Sequence, residues 1–289
     1  MTNNELLRFS SAGRGMLEAT LDIGKLYRSQ PQEREYFKRR FSNFDSHISN
    51  KVYAFNGRKL FELKGDLLIY QTEQIIAPIC DGRKPLLLIF GNPASHSVSD
   101  GMFFAYRNTR NGGKINHPLW KVLKELKYLT FESDNSSDIN ISIVERGQIR
   151  KQELFELKYT SSFCISMAVY YSMPTPSSGL WGYVAGIKKL FGAKALLEIE
   201  RSEKQNRINP ILKQLSKSGG AVLAFQRNAY NGIKSEGNQL YSQKEVFKGK
   251  LIGECSNFTD VKLLCSPPTR AIEWATTKDV LTSYYRILN

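Results

Sequence analysis

Residues 85–106 read Pro-Leu-Leu-Leu-Ile-Phe-Gly-Asn-Pro-Ala-Ser-His-Ser-Val-Ser-Asp-Gly-Met-Phe-Phe-Ala-Tyr, and this stretch decides the fold of the chain. An apolar run of strand length, residues 86–90, leads into a Gly-Asn-Pro turn that is followed by small hydroxylated residues and two phenylalanines. Such a run is typical of a buried parallel strand, and α/β sheets bind ligands at the carboxyl ends of parallel strands. The stretch therefore predicts a central strand with a binding site at its end.

Further apolar runs follow at residues 163–171, 221–225 and 261–265, with a possible short strand at 250–252. Segments in which apolar residues recur at helical spacing separate these runs, and the last of them starts near Thr276. Alternating strands and helices predict an α/β fold, here a three-layer α/β/α sandwich with a central, mostly parallel four-stranded sheet. The cleft between the ends of the first and last strands is the expected site.

The sequence before this region predicts an N-terminal extension, residues 1–83, that packs on an α/β domain of residues 84–289. Residues 1–50 are predicted to be helical, because Phe37, Phe41, Phe44 and Ile48 recur at spacings of four, three and four. Residues 51–63 are predicted to form a hairpin around Asn-Gly at positions 56–57. Residues 66–77 fit a strand and a helix equally well.

Charge points to a polyanionic partner. The 289 residues include 41 Lys and Arg against 27 Asp and Glu, a formal net charge of +14, and 41% of the residues are hydrophobic. Nucleic acid is favoured over an anionic membrane surface. No run approaches the roughly 18–20 apolar residues of a spanning helix, and residues 1–28 lack the apolar core of a secretory signal, so we expect a cytoplasmic protein without a membrane partner.

The cysteines and histidines predict no metal site. The four cysteines have no CxxC spacing, and the three histidines are scattered. Cys164 and Cys265 lie inside apolar runs and are predicted to be small buried side chains. Disulfides are not expected in the cytoplasm.

Three motifs, in order, resemble the uracil-DNA glycosylase superfamily and most closely its mismatch-specific uracil/thymine DNA glycosylase branch. The first is Gly91-Asn92-Pro93 with Ser95, Ser97, Gly-Met-Phe-Phe-Ala at 101–105 and Leu-Trp-Lys-Val at 119–122. The second is Leu-Ala-Phe at 223–225 with Asn-Ala-Tyr at 228–230, and the third spans residues 264–270 before a final helix. The resemblance runs from about residue 85 to the C-terminus and leaves residues 1–83 outside it.

The resemblance implies a monofunctional DNA glycosylase that flips a pyrimidine out of double-stranded DNA and hydrolyses its N-glycosidic bond, leaving an abasic site. It implies that Asn92 positions the attacking water and that Phe104 stacks on the extruded base. The remaining residues that it implies are substrate contacts at Gly91, Pro93, Ser95, Ser97 and Tyr106, and a loop entering the duplex at Ser266, Pro267, Pro268, Thr269 and Arg270. No cofactor, metal or protein partner is implied.

Two departures from the family pattern leave the base open. Ser-Pro-Pro at 266–268 stands where the family carries His or Asn before Pro-Ser, and Ala94 stands where the branch usually carries Gly. The substrate is therefore uracil, mismatched thymine or a modified pyrimidine. Excision of a hypermodified base from foreign (phage) DNA, as a defence enzyme, is the alternative within this class.

Other roles remain open at this point. His96 is a candidate general acid, and Asp100 is a second candidate for activating the water. Asn-Pro after a strand is also common turn chemistry, so a non-catalytic nucleic-acid-binding protein with the same fold is the alternative from another class. A nucleosidase acting on free nucleosides is disfavoured by the net charge of +14.

Overall fold

A computed structural model describes residues 5–49, 54–55, 58–76, 81–109, 111, 113–135, 141–272 and 274–289. Its strands are β1 (Leu7–Gly13), β2 (Met16–Asp22), β3 (Ala54–Phe55), β4 (Arg58–Lys59), β5 (Phe61–Lys64), β6 (Leu67–Glu73), β7 (Lys84–Phe90), β8 (Arg107–Asn108), β9 (Lys114–Ile115), β10 (Thr130–Phe131), β11 (Tyr159–Thr160), β12 (Phe163–Val169), β13 (Ala221–Ala224), β14 (Ile252–Cys255) and β15 (Phe258–Cys265). Its α-helices are α1 (Ile23–Leu26), α2 (Pro31–Ser49), α3 (Ser95–Asp100), α4 (Pro118–Glu125), α5 (Ile143–Glu156), α6 (Tyr183–Phe191), α7 (Ala193–Glu203), α8 (Asn209–Lys217), α9 (Arg227–Ile233), α10 (Gln243–Phe247) and α11 (Ala275–Leu288). A π-helical segment, Lys204–Ile208, joins α7 to α8, and short 3₁₀ helices lie at Glu132–Asn135 and Thr269–Ala271.

The chain forms two compact units. The first unit contains Met1–Gln74, Asn92–Gly101 and Tyr171–Pro210, and the second contains Ile75–Gly91, Met102–Tyr170 and Ile211–Asn289. This division does not follow the predicted boundary after residue 83, because two later segments of the chain cluster with the N-terminal residues.

The second unit is built on a mixed five-stranded sheet with the order β12-β7-β13-β15-β14. The first four strands are parallel, and β14 pairs antiparallel with β15. The α/β class is confirmed, but the predicted count of four strands is wrong. The fifth strand forms because the chain turns back after residue 255, where Asn257 adopts a left-handed φ of 66°.

One face of this sheet carries the core of the second unit. Alternate residues of β7, namely Leu86, Leu88 and Phe90, pack in one buried cluster with side chains from α4, α5 and α11. Side chains of a strand alternate between faces, so this periodicity places a continuous apolar surface under the helices. The predicted C-terminal helix is confirmed, and Val280, Leu281, Tyr284 and Leu288 are buried on it.

The first unit contains an antiparallel sheet with the order β1-β2-β6-β5. The predicted helix over residues 1–50 is wrong for residues 7–22, which form the β1–β2 hairpin. Gly13 and Gly15 both have positive φ and permit the tight turn between these strands, and the helical spacing begins only with α2. Residues 66–77, left open by the sequence, contain β6.

Helix α2 confirms the later part of that prediction. Phe37, Phe41, Phe44 and Ile48 are all buried, and the Phe37 ring stacks on Phe191 with centroids 5.2 Å apart. Strands β3 and β4 pair antiparallel, as the predicted hairpin requires, whereas its turn residues 56–57 lie outside the described residues.

Of the three cysteines that the structure describes, two are free and one is in a disulfide. Cys255 and Cys265 are buried free thiols, and burial raises the pKa of Cys265. Cys164 is buried as predicted but is disulfide-bonded, so the expectation of no disulfides is wrong for it. That expectation rested on the assumed compartment and not on the distances within the fold. Cys80 lies outside the described residues.

Removing the hydroxyl of Tyr230 is expected to leave the stability of the fold unchanged or to raise it by up to about 1 kcal/mol. This hydroxyl is buried, has no hydrogen-bond partner among the described residues, and has its pKa raised to about 12 by burial. Tyr284→Phe is the matched control, because the Tyr284 hydroxyl donates to the Cys265 carbonyl at 3.1 Å and its loss costs about 1 kcal/mol. Urea denaturation measures both variants, and a Tyr230→Phe loss larger than the control would contradict the assignment.

Candidate functional site

The side-chain amide of Asn92 is held in one orientation. Its Nδ2 donates to Thr175 Oγ1 at 2.8 Å and to the Pro93 carbonyl at 3.2 Å. Thr175 Oγ1 in turn donates to the Pro176 carbonyl at 3.3 Å, so it acts as the acceptor toward Asn92. The amide protons are thus satisfied, and no described residue donates to Asn92 Oδ1. The side chain is half-buried, and its remaining capacity is that of a fixed hydrogen-bond acceptor.

Backbone hydrogen bonds fix the same loop. Thr175 N donates to the Pro93 carbonyl at 3.1 Å, and Ser95 N donates to the Thr175 carbonyl at 2.9 Å. Ala94 and Thr175 form an isolated parallel bridge. Along the chain, Asn92 follows β7 and Thr175 follows β12, which are neighbouring parallel strands. The sequence did not indicate Thr175; its only local signal is a threonine between two prolines after a buried strand.

A buried ion pair supports the segment that carries Thr175. Glu203 Oε1 accepts from the backbone N of Ser172 at 2.6 Å and from the Ser172 hydroxyl, and Tyr70 OH lies 2.7 Å from Ser172 Oγ. The other carboxylate oxygen accepts from Arg207 Nε and Nη2 at 2.9 and 2.8 Å. All four side chains are buried in the first unit, and burial raises the pKa of Tyr70. Arg207 lies in the π-helical segment, a feature that recurs at functional sites.

The other predicted residues of the first unit lie in this loop and in α3. Pro93, Ser95 and Ser97 are buried, and Ser95 Oγ has no hydrogen-bond partner among the described residues. His96 and Asp100 lie one turn apart on α3 and are both half-buried.

Phe104 belongs to the second unit and has an unusual backbone. Its φ is 49°, a left-handed value that costs a non-glycine residue on the order of 1–3 kcal/mol. The Trp120 indole Nε1 donates to its carbonyl at 2.9 Å, and its ring centroid lies 4.7 Å from that of Phe90 and 4.6 Å from that of His117. The surroundings therefore hold a half-buried aromatic ring in a strained conformation. Phe103 is 2% exposed and belongs to the core.

Gly91 allows a glutamine to approach the end of β7. A Cβ added to Gly91 would lie 1.9 Å from Gln226 Oε1. Gln226 follows β13, the neighbour of β7, and is half-buried. Its amide offers both donors and an acceptor, the groups needed to read the polar edge of a base. The sequence did not single it out, because a polar residue after a strand carries no motif.

The third motif has a buried and an accessible part. Ser266 and Pro267 are buried, and Ser266 N donates to the Ala224 carbonyl at 2.7 Å. Pro268 and Thr269 are half-exposed, and Arg270 is exposed. The first two residues therefore support the loop, and the last three are the members that a ligand can reach.

Two aromatic residues of the second unit differ in their access. Tyr106 is buried, with Lys114 Nζ 4.1 Å from its ring centroid. Trp274 is 56% exposed and stacks on Phe247 with centroids 5.5 Å apart. His117 caps α4, since its Nδ1 accepts from Leu119 N at 3.2 Å.

No protein-family model matches this sequence, and comparison with curated proteins also finds no match. In the part of the chain that the structure describes, no group of three or more His, Cys, Asp or Glu side chains is placed to hold a metal ion. Nor does any described helix have the length and apolarity needed to cross a membrane.

Proposed function

We propose that this chain is a DNA glycosylase that hydrolyses the N-glycosidic bond of a pyrimidine flipped out of double-stranded DNA. The observation that carries the proposal is the Asn92 amide, whose Nδ2 is held by Thr175 at 2.8 Å while Oδ1 stays available as an acceptor. The proposal takes residues 84–289 as a three-layer α/β/α sandwich of the uracil-DNA glycosylase type. It places the chain in the cytoplasm with its substrate and requires no cofactor.

The proposed reaction uses Asn92 to orient water. Oδ1 accepts a hydrogen bond from the water, so the water oxygen faces C1′ of the sugar. As the C1′–N1 bond breaks, the base leaves with the electron pair and the sugar gains oxocarbenium character. The water oxygen bonds to C1′ and loses a proton, which balances the protonation of the released base. An amide orients water and is not a strong base, so the reaction depends on a base that leaves readily.

Gln226 supports the recognition step of the proposal. The third motif has no His or Asn to hydrogen-bond the leaving base, and the Gln226 amide beside Gly91 supplies the same chemistry from another strand end. Because of this difference, a modified pyrimidine is included as a candidate substrate together with uracil and mismatched thymine. A hypermodified base of foreign DNA belongs to the same proposal.

An abasic-site assay tests the proposed function. Duplexes carrying uracil, mismatched thymine or a 5-modified pyrimidine are incubated with the protein, and hot alkali then cleaves any abasic site. We expect strand cleavage for at least one of these bases. Binding to every duplex without any abasic product would instead indicate a non-catalytic nucleic-acid-binding protein with this fold.

Replacing Phe104 with leucine is expected to weaken binding of a duplex with a flipped base by roughly 5- to 150-fold, because stacking on an aromatic ring contributes about 1–3 kcal/mol per base. Phe103→Leu is the matched control: it changes the buried neighbour and is expected to lower the melting temperature with little effect on affinity. Fluorescence anisotropy with a duplex that carries a non-hydrolysable, fluorinated substrate nucleotide, which keeps its base, measures both. Equal affinities for the two variants would contradict the role of Phe104 in stacking on the base.

A further inference from the structure

A cleft of about 480 Å³ lies in the second unit; Trp120 and Lys121 of the first motif line it, but Phe104 and Gln226 do not. Its volume falls within the range of roughly 300–1,000 Å³ that is usual for ligand sites. It lies between the start of α4, the 3₁₀ turn at Glu132–Asn135 and α5. The lining residues are Ile115, Asn116, His117, Pro118, Trp120, Lys121, Lys124, Asp134, Arg146 and Arg150.

The cleft carries an excess of positive charge. Lys121 and Lys124 lie three residues apart on α4, and Arg146 and Arg150 lie four apart on α5, against one lining carboxylate, Asp134. Residues at these spacings share one face of a helix. Two pairs of cations from two helices therefore line one cleft.

The single lining carboxylate, Asp134, already forms an ion pair within the protein. Arg150 Nη2 donates to Asp134 Oδ1 at 2.7 Å, and both side chains are largely buried. The Arg150 guanidinium also lies 5.5 Å from the ring centroids of Trp120 and Phe131, which fixes it in place. The other three cations, Lys121, Lys124 and Arg146, therefore give the cleft a net positive charge.

Two of these three cations, Arg146 and Lys121, are held weakly by the protein. Arg146 makes no ion pair among the described residues. Lys121 lies 3.8 Å from Glu125 but is 78% exposed, and such surface pairs contribute only about 0–1 kcal/mol. Arg146 and Lys121 can therefore reorient to bind a polyanion with little loss of interaction energy within the protein.

We propose that this cleft binds the phosphodiester backbone of a DNA strand. The inference deepens the proposed function. It rests on that function for one point, namely that the bound strand is the strand that carries the substrate base. Three cations on two helices, Lys121, Lys124 and Arg146, suit successive phosphates, whereas a nucleoside monophosphate presents a single phosphate. The cleft also adjoins the strained platform, because the His117 ring at its wall lies 4.6 Å from the Phe104 ring.

The test compares two double variants in DNA binding. Lys121→Gln with Arg146→Gln removes one cation from each helix of the cleft. Lys213→Gln with Lys217→Gln on α8 is the matched control, since it removes two exposed lysines of the same unit outside the cleft. Affinity for a labelled duplex is measured by anisotropy between about 50 and 200 mM salt, a range over which phosphate contacts respond strongly.

For the cleft variant we expect about tenfold or greater weakening and a slope of log K against log[salt] that is shallower by about 2. The control variant should keep the wild-type slope, and an unlabelled oligonucleotide should compete far better than a mononucleotide or inorganic phosphate. An unchanged slope in the cleft variant, or equal competition by the mononucleotide, would overturn the proposal. Abasic-site formation is measured separately at saturating DNA. Absence of any abasic product would contradict the proposed function, whereas an unchanged salt slope would contradict only the role of the cleft.

Discussion

Replacing Asn92 with alanine is expected to lower the single-turnover rate of abasic-site formation by about 100-fold or more, with DNA affinity nearly unchanged. The amide touches the attacking water and not the bulk of the DNA. Misplacing a reacting group by about 1 Å can cost roughly 100-fold. Quenched-flow sampling with alkali cleavage measures the rate, and anisotropy measures the affinity.

Thr175 provides the control for this prediction. Thr175→Val removes the acceptor that holds Asn92 Nδ2 at 2.8 Å and is expected to lower the rate by about tenfold, because the amide can then rotate. Since Thr175 acts through Asn92, the double variant should be no slower than Asn92→Ala alone. If the fold reduction in the double variant equals the product of the two single reductions, the two side chains act independently.

Replacing Arg207 with methionine is expected to lower the free energy of unfolding by about 3–5 kcal/mol, because the Glu203 carboxylate would stay buried without its charge partner. Both side chains are buried, and Arg207 donates twice to one carboxylate oxygen, at 2.8 and 2.9 Å. For a protein of this size the loss corresponds to a melting temperature lower by roughly 6–20 °C. Calorimetry or circular dichroism measures it.

Two matched variants separate a buried charge from a lost contact. Arg201→Ala on α7, the helix that carries Glu203, breaks an exposed pair with Glu198 at 2.7 Å and should cost no more than about 1 kcal/mol. Combining Arg207→Met with Glu203→Gln removes the orphaned charge and should recover much of the stability. Arg207→Met behaving like Arg201→Ala would contradict the role given to this pair.

The strands of the second unit could be predicted because each is a continuous apolar run. Residues 86–90 and 221–225 stand out in the sequence, since parallel strands are covered on both faces. The fifth strand was harder to predict, because β14 is an edge strand with exposed positions and only one neighbour. The β1–β2 hairpin was missed because its apolar residues are few and its turn depends on the positive φ of Gly13 and Gly15.

The candidate site could be predicted only where its residues are close in sequence. Asn92 and Phe104 follow one strand within a single motif, whereas Thr175 is 83 residues from Asn92. The contact between them is tertiary, and sequence periodicity carries no information on tertiary contacts at this separation. Gln226 escaped prediction for the same reason. The basic cleft was missed because its cations come from two helices, and each pair alone is indistinguishable from an ordinary solvated helix face.

The most direct test of the central claim is the release of free base by the wild-type protein. The protein is incubated with duplexes carrying the panel of pyrimidines, the small-molecule fraction is analysed by mass spectrometry, and borohydride is added to trap any covalent intermediate. Hydrolysis through a water held by Asn92 predicts one free base per abasic site and no trapped protein–DNA adduct. DNA binding without release of any base, or a borohydride-trapped adduct, would contradict the account.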